Sequence, residues 1–454
     1  MSENNEQPQR KLSAIRIKNF KAVRDSGWLE LGPLTVIIGN NGSGKSSLIE
    51  ALETFQTLID AKLDAAMNRW RGMEHIRNRA VPHDPVSLDS PKATLPISAF
   101  PIEDDEQPSD ETYIPEDDLV ALYGHADEKP EGLANPDKEI NPIELCFRAQ
   151  TLEGELILET AIGMLKGGNR IFIERENLTL NGIPLLERDE QGWVRPPEDV
   201  KEAGFSPYRV PLGESVITAS GVHDRAIHPF GRDASSWQFM LLNPDVMGSP
   251  VPPSRTGGVV RLARNGSNIA EYILDIQRYD VENETYFLPD IIDTLKYVLP
   301  YADDVIPSMT QELERTAYFQ LREGGFDVPA WLLSTGSLRI LALLAVLRHP
   351  TPPPLIVIEE IENGLDPRTI SLVVEEIRSL TTREENPCQV IITTHSPYLL
   401  NQLGLDEILL VERINGQPVF FRPGEDERVK IWAKNFAPGD LYTMSQLTSQ
   451  KDEE

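Results

Sequence analysis

Apolar residues along this chain repeat with more than one period, and each period predicts an element type. From Lys11 to Gly39 they alternate or cluster in short runs, KLSAIRIKNF and then PLTVIIG, which predicts strands. From Gly44 to about Leu63 the spacing lengthens, with Leu48, Ala51, Leu52 and Phe55 on one stripe, and predicts a helix. The runs IELCFRAQT, GELILETAIGM and NRIFIERENLTL, separated by turns, predict an antiparallel β layer. Residues 267–300 return to helical spacing, with Ile269, Tyr272, Ile273 and Ile276 on one face. From Leu338 to Val411 the order is helix, strand, helix, strand, helix, strand, an alternation that predicts a parallel sheet in an α/β layer. The end of the chain reads as strand (EILLVERI), turn (NGQ), strand (PVFF) and a short acidic tail.

Composition changes this picture in one region and narrows it elsewhere. Residues 81–141 are rich in Pro, Asp and Glu, as in EDDEQPSDETYIPEDD, and predict a solvated, flexible insertion. A sharper alternative is an acidic segment that shields a basic surface until a ligand displaces it. The 454 residues are enough for a large core, and the first ten are polar. A formal net charge of -29 opposes a general grip on nucleic acid, which would need a local basic patch or a partner. Cys146 and Cys388 are too few and too far apart for a disulfide framework or a zinc cage. The start, MSENNEQPQRKLSAIRI, lacks an apolar signal core, and no apolar run approaches the ~20 residues that span a bilayer. A cytoplasmic protein without a membrane partner is the expectation. The chain has no long heptad stretch and no internal repeat.

Four segments are candidates for chemistry. Gly39-Asn40-Asn41-Gly42-Ser43-Gly44-Lys45-Ser46 is a complete Walker A motif, following an apolar strand and opening a helix, with Ser47 next in line. Its glycines let backbone N–H groups curl around phosphate oxygens, and the helix start adds partial positive charge. Lys45 is expected to reach the β- and γ-phosphates of ATP, and the Ser46 hydroxyl to ligate Mg²⁺. Leu355-Ile356-Val357-Ile358-Glu359-Glu360 reads as a Walker B strand, with Glu359 for Mg²⁺ and Glu360 to orient and polarise the attacking water. Thr393-Thr394-His395-Ser396 ends another apolar strand, where His395 would hydrogen-bond the γ-phosphate. Leu333-Ser334-Thr335-Gly336-Ser337 opens a further helix, as a serine N-cap or as a second phosphate-binding helix start.

Together these residues resemble ABC-type AAA-family ATPase heads, in particular the SMC/RecF/OLD-like class. AIRIKNFKAV followed by LTVIIGNNGSGKSSLIEAL matches that opening; Leu333 to Ser337 resembles the signature motif, with Thr335 where its first glycine usually stands. Glu362 to Pro367 resembles the segment carrying the D-loop, making Asp366 its aspartate, and His395 matches the switch histidine. Glu359 replaces the commoner aspartate and Ile361 a frequent proline. The resemblance implies an α/β fold with a mixed or parallel sheet, an antiparallel β layer and a helical signature lobe. Residues 11–64 and 337–425 would form the two parts of the head, 142–232 the β layer, 233–336 the signature lobe and 426–454 the tail. It also implies that two heads sandwich two ATP molecules, with Ser334 and Gly336 acting in trans on the partner's nucleotide, as a dimer or higher homo-oligomer.

OLD nucleases carry a TOPRIM domain after the head. Only about sixty residues follow His395, fewer than an ordinary domain, so a stand-alone head is expected. The expected role is an ATPase that dimerises on ATP and regulates a separately encoded effector, a nuclease in antiphage defence by analogy. The alternative is a RecF- or SMC-like repair or recombination ATPase that touches DNA directly. A non-hydrolysing scaffold and a transporter ATPase fit less well. Arg69-Trp70-Arg71 with His75, Arg77 and Arg79 is a basic cluster around an aromatic ring, suited to nucleic acid or to pairing with nearby acids. His223, Asp224 and His228 lack the further ligand a metal site needs.

Overall fold

A computed structural model describes residues 11–78, 141–164, 170–195, 207–218, 227–254, 259–310, 315–384 and 387–448. The acidic stretch 81–140, Arg79, His223, Asp224, the side chain of His228 and both chain ends lie outside the described residues. The chain opens with β1 (Lys11–Phe20), β2 (Val23–Asp25), β3 (Leu29–Glu30) and β4 (Leu34–Ile38), then α1 (Lys45–Asn68) and α2 (Met73–Ile76). Next come β5 (Ile143–Thr151), β6 (Gly154–Met164), β7 (Ile171–Leu180), β8 (Ile183–Arg188), β9 (Trp193–Arg195) and β10 (Tyr208–Arg209). A mixed stretch holds α3 (Ile227–Ser235), β11 (Gln238–Met240), α4 (Pro244–Met247), α5 (Ile269–Asn283) and α6 (Phe287–Leu295). It continues with β12 (Ala302–Met309), β13 (Ala317–Glu323), β14 (Phe326–Pro329) and α7 (Thr335–Leu347). The last part is β15 (Leu355–Ile358), α8 (Pro367–Thr381), β16 (Gln389–Thr393), α9 (Pro397–Leu400), β17 (Ile408–Ile414), β18 (Gln417–Phe421), α10 (Glu427–Trp432) and α11 (Pro438–Thr443).

The central sheet runs β11-β15-β16-β4-β17-β18 and is parallel except for the β17–β18 hairpin. Its inner strands are apolar at successive positions because both faces are covered. Ile356 and Ile358 face a core made with α5 to α8, whereas Leu355 and Val357 face a second core made with α1 and the β layer. That layer has the order β10-β9-β8-β7-β6-β5-β1-β2, with β3 also on β1, and its strand pairs are antiparallel as the sequence predicts. Leu48, Ala51, Leu52 and Phe55 are fully buried on α1, and Phe55 stacks against Phe147 with ring centroids 4.1 Å apart. Helix α1 runs on to Asn68, past the expected end near Leu63, with non-helical backbone at Ala61 and Lys62.

The β layer contains a buried ion pair. Glu176 and Arg188 have side chains without solvent exposure, 3.3 Å apart. The Glu176 carboxylate also accepts from Ser215 Oγ at 2.7 Å and from the Val216 N–H at 2.8 Å, which ties residues 215–216 to the sheet.

The structure adds three features to the expected layout. Residues 302–329, within the expected helical lobe, form the three-stranded antiparallel sheet β12-β13-β14. Strand β11 joins the central sheet beside β15. Residues 427–443, in the expected tail, form the short helices α10 and α11. Among the described residues no helix is long and apolar enough to cross a membrane.

Candidate nucleotide site

The parallel strands β4, β15 and β16 lie side by side, so their C-terminal ends open on the same edge. At the end of β4 the backbone turns through Gly39, with φ of 143°, and a side-chain carbon there would lie 2.1 Å from the Val411 carbonyl oxygen. Only glycine fits this close approach. The loop continues through Asn40, Asn41, Gly42 and Ser43 to Gly44, whose φ of 118° is again left-handed, and Lys45 begins α1. The first N–H groups of α1, at Lys45, Ser46 and Ser47, start a helix of 24 residues and point their partial positive charge at the loop. Lys45 Nζ bends back to donate to the Gly39 carbonyl at 2.6 Å and the Asn40 carbonyl at 3.1 Å. Ser43 Oγ is buried and has no hydrogen-bond partner, an orphan that a phosphate oxygen would satisfy.

The end of β15 supplies the acids. Glu359 N–H donates to the Met240 carbonyl at 2.8 Å, and Glu360 N–H to Thr393 Oγ1 at 2.8 Å. Glu360 takes φ of 51°, a left-handed conformation that is uncommon for a residue with a side chain and is enriched at functional sites. Its exposed carboxylate accepts from the Asn363 amide. The Glu359 carboxylate is mostly buried and accepts from Arg264. Burial raises its pKa, and the Arg264 guanidinium opposes that shift. At the end of β16, His395 N–H donates to Glu362 Oε1 at 2.5 Å. Burial and then the Lys45 ammonium hold the His395 imidazole below its usual pKa, which favours the neutral ring. Burial also lowers the pKa of Lys45, against the attraction of Glu360 and Glu362. Lys45, Glu360, Glu362 and His395 therefore share one electrostatic site.

Ser46 and Glu359 offer hard oxygen donors, which fit Mg²⁺. Among the described residues no group of three His, Cys, Asp or Glu side chains could hold a metal ion. Mg²⁺ commonly takes one or two protein oxygens and completes its shell with phosphates and waters.

Two expected site elements have local structural roles as well. Ser334 is the N-cap of α7, accepting from the Ser337 N–H at 3.1 Å. At Gly336 a side-chain carbon would lie 2.8 Å from the Gly364 carbonyl oxygen, so α7 packs closely on the segment after β15. Asp366 caps α8, accepting from the Arg368 and Thr369 N–H groups at 2.9 and 3.2 Å. Arg264, Glu53 and Arg339 were not expected at the site. Arg339 donates to the Leu242 carbonyl at 2.8 Å and is close enough to feel the Glu360 charge. Asn363 and Thr393 lay within segments the sequence singles out, Glu362 to Pro367 and Thr393 to Ser396, without a role of their own.

Within the basic cluster Arg69 is engaged internally, and Lys21 beside it is paired as well. Arg69 pairs with Glu53 at 2.7 Å, and Lys21, 3.7 Å from the Trp70 ring centroid, pairs with Glu50 at 2.6 Å.

Solved structures with a similar outline include an SMC head bound to the C-terminal winged-helix domain of ScpA, with 12% identity over 90% of this chain and 96% of that one and a TM-score of 0.46. An SMC head domain from Thermotoga maritima shows 14% identity over 91% and 98% of the two chains, with a TM-score of 0.38. An SMC head from Pyrococcus furiosus with an extended coiled coil, bound to the C-terminal domain of ScpA, shows 12% identity over 94% and 99%, with a TM-score of 0.47. No curated protein sequence matches the chain. The family described as "AAA domain, putative AbiEii toxin, Type IV TA system" matches residues 34–401, which span both Walker motifs and His395. The chain belongs to that AAA-domain family, and its fold is a mixed α/β one in which a phosphate loop opens α1.

Proposed function

We propose that the protein hydrolyses ATP, dimerises on it, and uses that cycle to control a separately encoded effector. The observation that carries the ATPase reading is the convergence of Lys45, Glu360 and His395 at one sheet edge, beside an orphaned serine hydroxyl in the phosphate loop. Backbone N–H groups of residues 39–47 and Lys45 Nζ bind the phosphates, once Lys45 releases its own loop carbonyls. Ser46 and Glu359 hold Mg²⁺, which supplies charge neutralisation at the phosphates when bound. Glu360 accepts the proton of the attacking water, and neutral His395 donates a hydrogen bond to the γ-phosphate. Ser334 and Gly336 complete the partner's site across the dimer, and Asp366 follows the Gly364 turn on which Gly336 packs.

A nuclease in antiphage defence is the effector class we favour. The matched family's description names a toxin, in keeping with a defence setting. The internal pairing of Lys21 and Arg69, with a net charge of -29, favours control of a partner over direct DNA binding. The test is Glu360→Gln in the full chain. Turnover is expected to fall about a hundredfold to ten-thousandfold while ATP binding persists. The introduced amide can keep the Asn363 contact through its oxygen, so the change removes basicity rather than shape. Turnover equal to wild type, with Lys45→Ala inactive, would place the base elsewhere. DNA processing is expected only with the neighbouring gene product present. Metal-dependent cleavage by the chain alone would overturn the regulator reading.

A further inference from the structure

Residues 261–268, which lead into α5, are held by a set of hydrogen bonds. Leu241 N–H donates to the Arg264 carbonyl at 2.8 Å, and Asn243 N–H to the Asn265 carbonyl at 3.0 Å. Asn268 accepts from the Ala263 N–H at 2.6 Å and donates to the Arg261 carbonyl at 2.8 Å. Arg264 is thereby held beside β11, the strand next to the Walker B strand β15. Its Nη2 donates to Glu359 Oε1, and its Nη1 lies 3.2 Å from Glu53 Oε2. Glu53 is only 3% exposed, on the buried side of α1, and takes Arg69 Nη2 on the same oxygen at 2.7 Å. Arg69, Glu53, Arg264 and Glu359 thus form a chain of alternating charge from the end of α1 to the first Walker B acid.

A buried carboxylate with one oxygen committed to a planar guanidinium has little rotational freedom left. Glu53 does for Arg264 what Arg264 does for Glu359, since an arginine between two acids has one preferred plane. We propose that Arg264 is a positioning residue for Glu359: it holds one carboxylate oxygen and leaves the other to the Mg²⁺ shell, with Glu53 as its anchor. The proposal rests on the reading of Glu359 as a Mg²⁺ holder. It opposes a second possibility, that Arg264 occupies the cation's place and competes with it.

The test measures binding of a fluorescent ADP analogue to the full chain in EDTA and across a Mg²⁺ titration, without turnover. Arg264→Ala is expected to raise the half-saturating Mg²⁺ about tenfold or more, the usual range for losing a partner of a metal ligand. Nucleotide affinity in EDTA should stay within roughly twofold of wild type, because no nucleotide contact is removed. Arg264→Lys should recover part of the loss, keeping charge without the two-armed geometry, and Glu53→Gln should shift Mg²⁺ in the same direction by less. If Arg264→Ala is poorly folded, Arg264→Lys and Glu53→Gln still report. Unchanged or tighter Mg²⁺ dependence in these variants, with Glu359→Gln abolishing it, overturns the proposal and leaves the Glu359 reading intact. A Glu359→Gln chain that keeps the wild-type Mg²⁺ response overturns the Glu359 reading and the proposal with it.

Discussion

Replacing Ser334 by Asp separates a structural cap from a role across a dimer. Ser334 sits at φ of -65° and ψ of 154°, with Oγ accepting the Ser337 N–H. Asp is as good an N-cap as Ser, so helix α7 should keep its start and the stability change should stay below about 1 kcal/mol. Gly336 is a poorer probe, because a side chain there meets Gly364 of its own chain. If the α7 start faces the partner's ATP, the new carboxylate meets phosphate. At about 4 Å and an effective dielectric near 20, one like-charge pair costs about 4 kcal/mol. That is roughly a thousandfold in binding. Ser334→Asp alone should therefore be inactive although folded. Mixed with an equal amount of Lys45→Ala, half of the randomly formed dimers contain one chain of each kind. In each of these one site carries both defects and the other neither. Phosphate release should recover to roughly a quarter of wild type for a two-fold symmetric dimer. A cis signature predicts no recovery, since every site then carries a defect. Absence of recovery with mixing confirmed by differential tags would refute the trans assignment.

Other outcomes test the site and the scaffold separately. Gly39→Ala places a carbon against the Val411 carbonyl in left-handed backbone and should cost roughly 2 to 6 kcal/mol in chemical denaturation; an unchanged midpoint would contradict the close approach. Glu176→Gln leaves the buried Arg188 charge without its counter-ion and should cost about 3–5 kcal/mol, most of it recovered when Arg188→Met is added; equal stability of the single and double variants would refute the pairing argument. Lys45→Ala removes a cation that disfavours protonated His395, so the His395 titration followed by NMR should move up; a fixed or lower midpoint would mean the two groups do not share a site.

The elements that could be read from sequence have repetitive chemistry. Strands β4, β15 and β16 are buried on both faces and show as unbroken apolar runs, and the buried stripe of α1 shows as its 3.6-residue spacing. Gly39 announces the phosphate loop because its conformation excludes every other residue. The three-stranded sheet at 302–329 was not legible. Its strands carry Asp303, Asp304, Gln320, Arg322 and Asp327, and Pro307 and Pro329 stand within them, so alternation is weak. Strand β11 is three residues long, too short for any period, and becomes a strand only because β15 lies beside it.

The same distinction explains which site residues were missed. Motif reasoning finds groups that touch the nucleotide, because strand ends and helix starts fix their spacing in sequence. It does not find groups that hold those groups. Arg264 lies 95 residues from Glu359, a distance over which no local pattern reaches, and Thr393, although it opens the Thr393–Ser396 segment, lies 33 from the Glu360 whose N–H it accepts. Each joins the site through a sheet neighbour: Arg264 through β11 beside β15, Thr393 at the end of β16 beside β15. The two Walker B acids leave the same strand with opposite surroundings as a result. Glu359 is buried against a guanidinium, whereas Glu360 is exposed on a strained backbone with only an amide at its carboxylate. A group that must hold a cation benefits from a fixed direction, and a group that must take a proton from water benefits from access. Removing the guanidinium by Arg264→Ala should therefore loosen Mg²⁺ without mimicking Glu360→Gln, whose loss of turnover persists at saturating Mg²⁺.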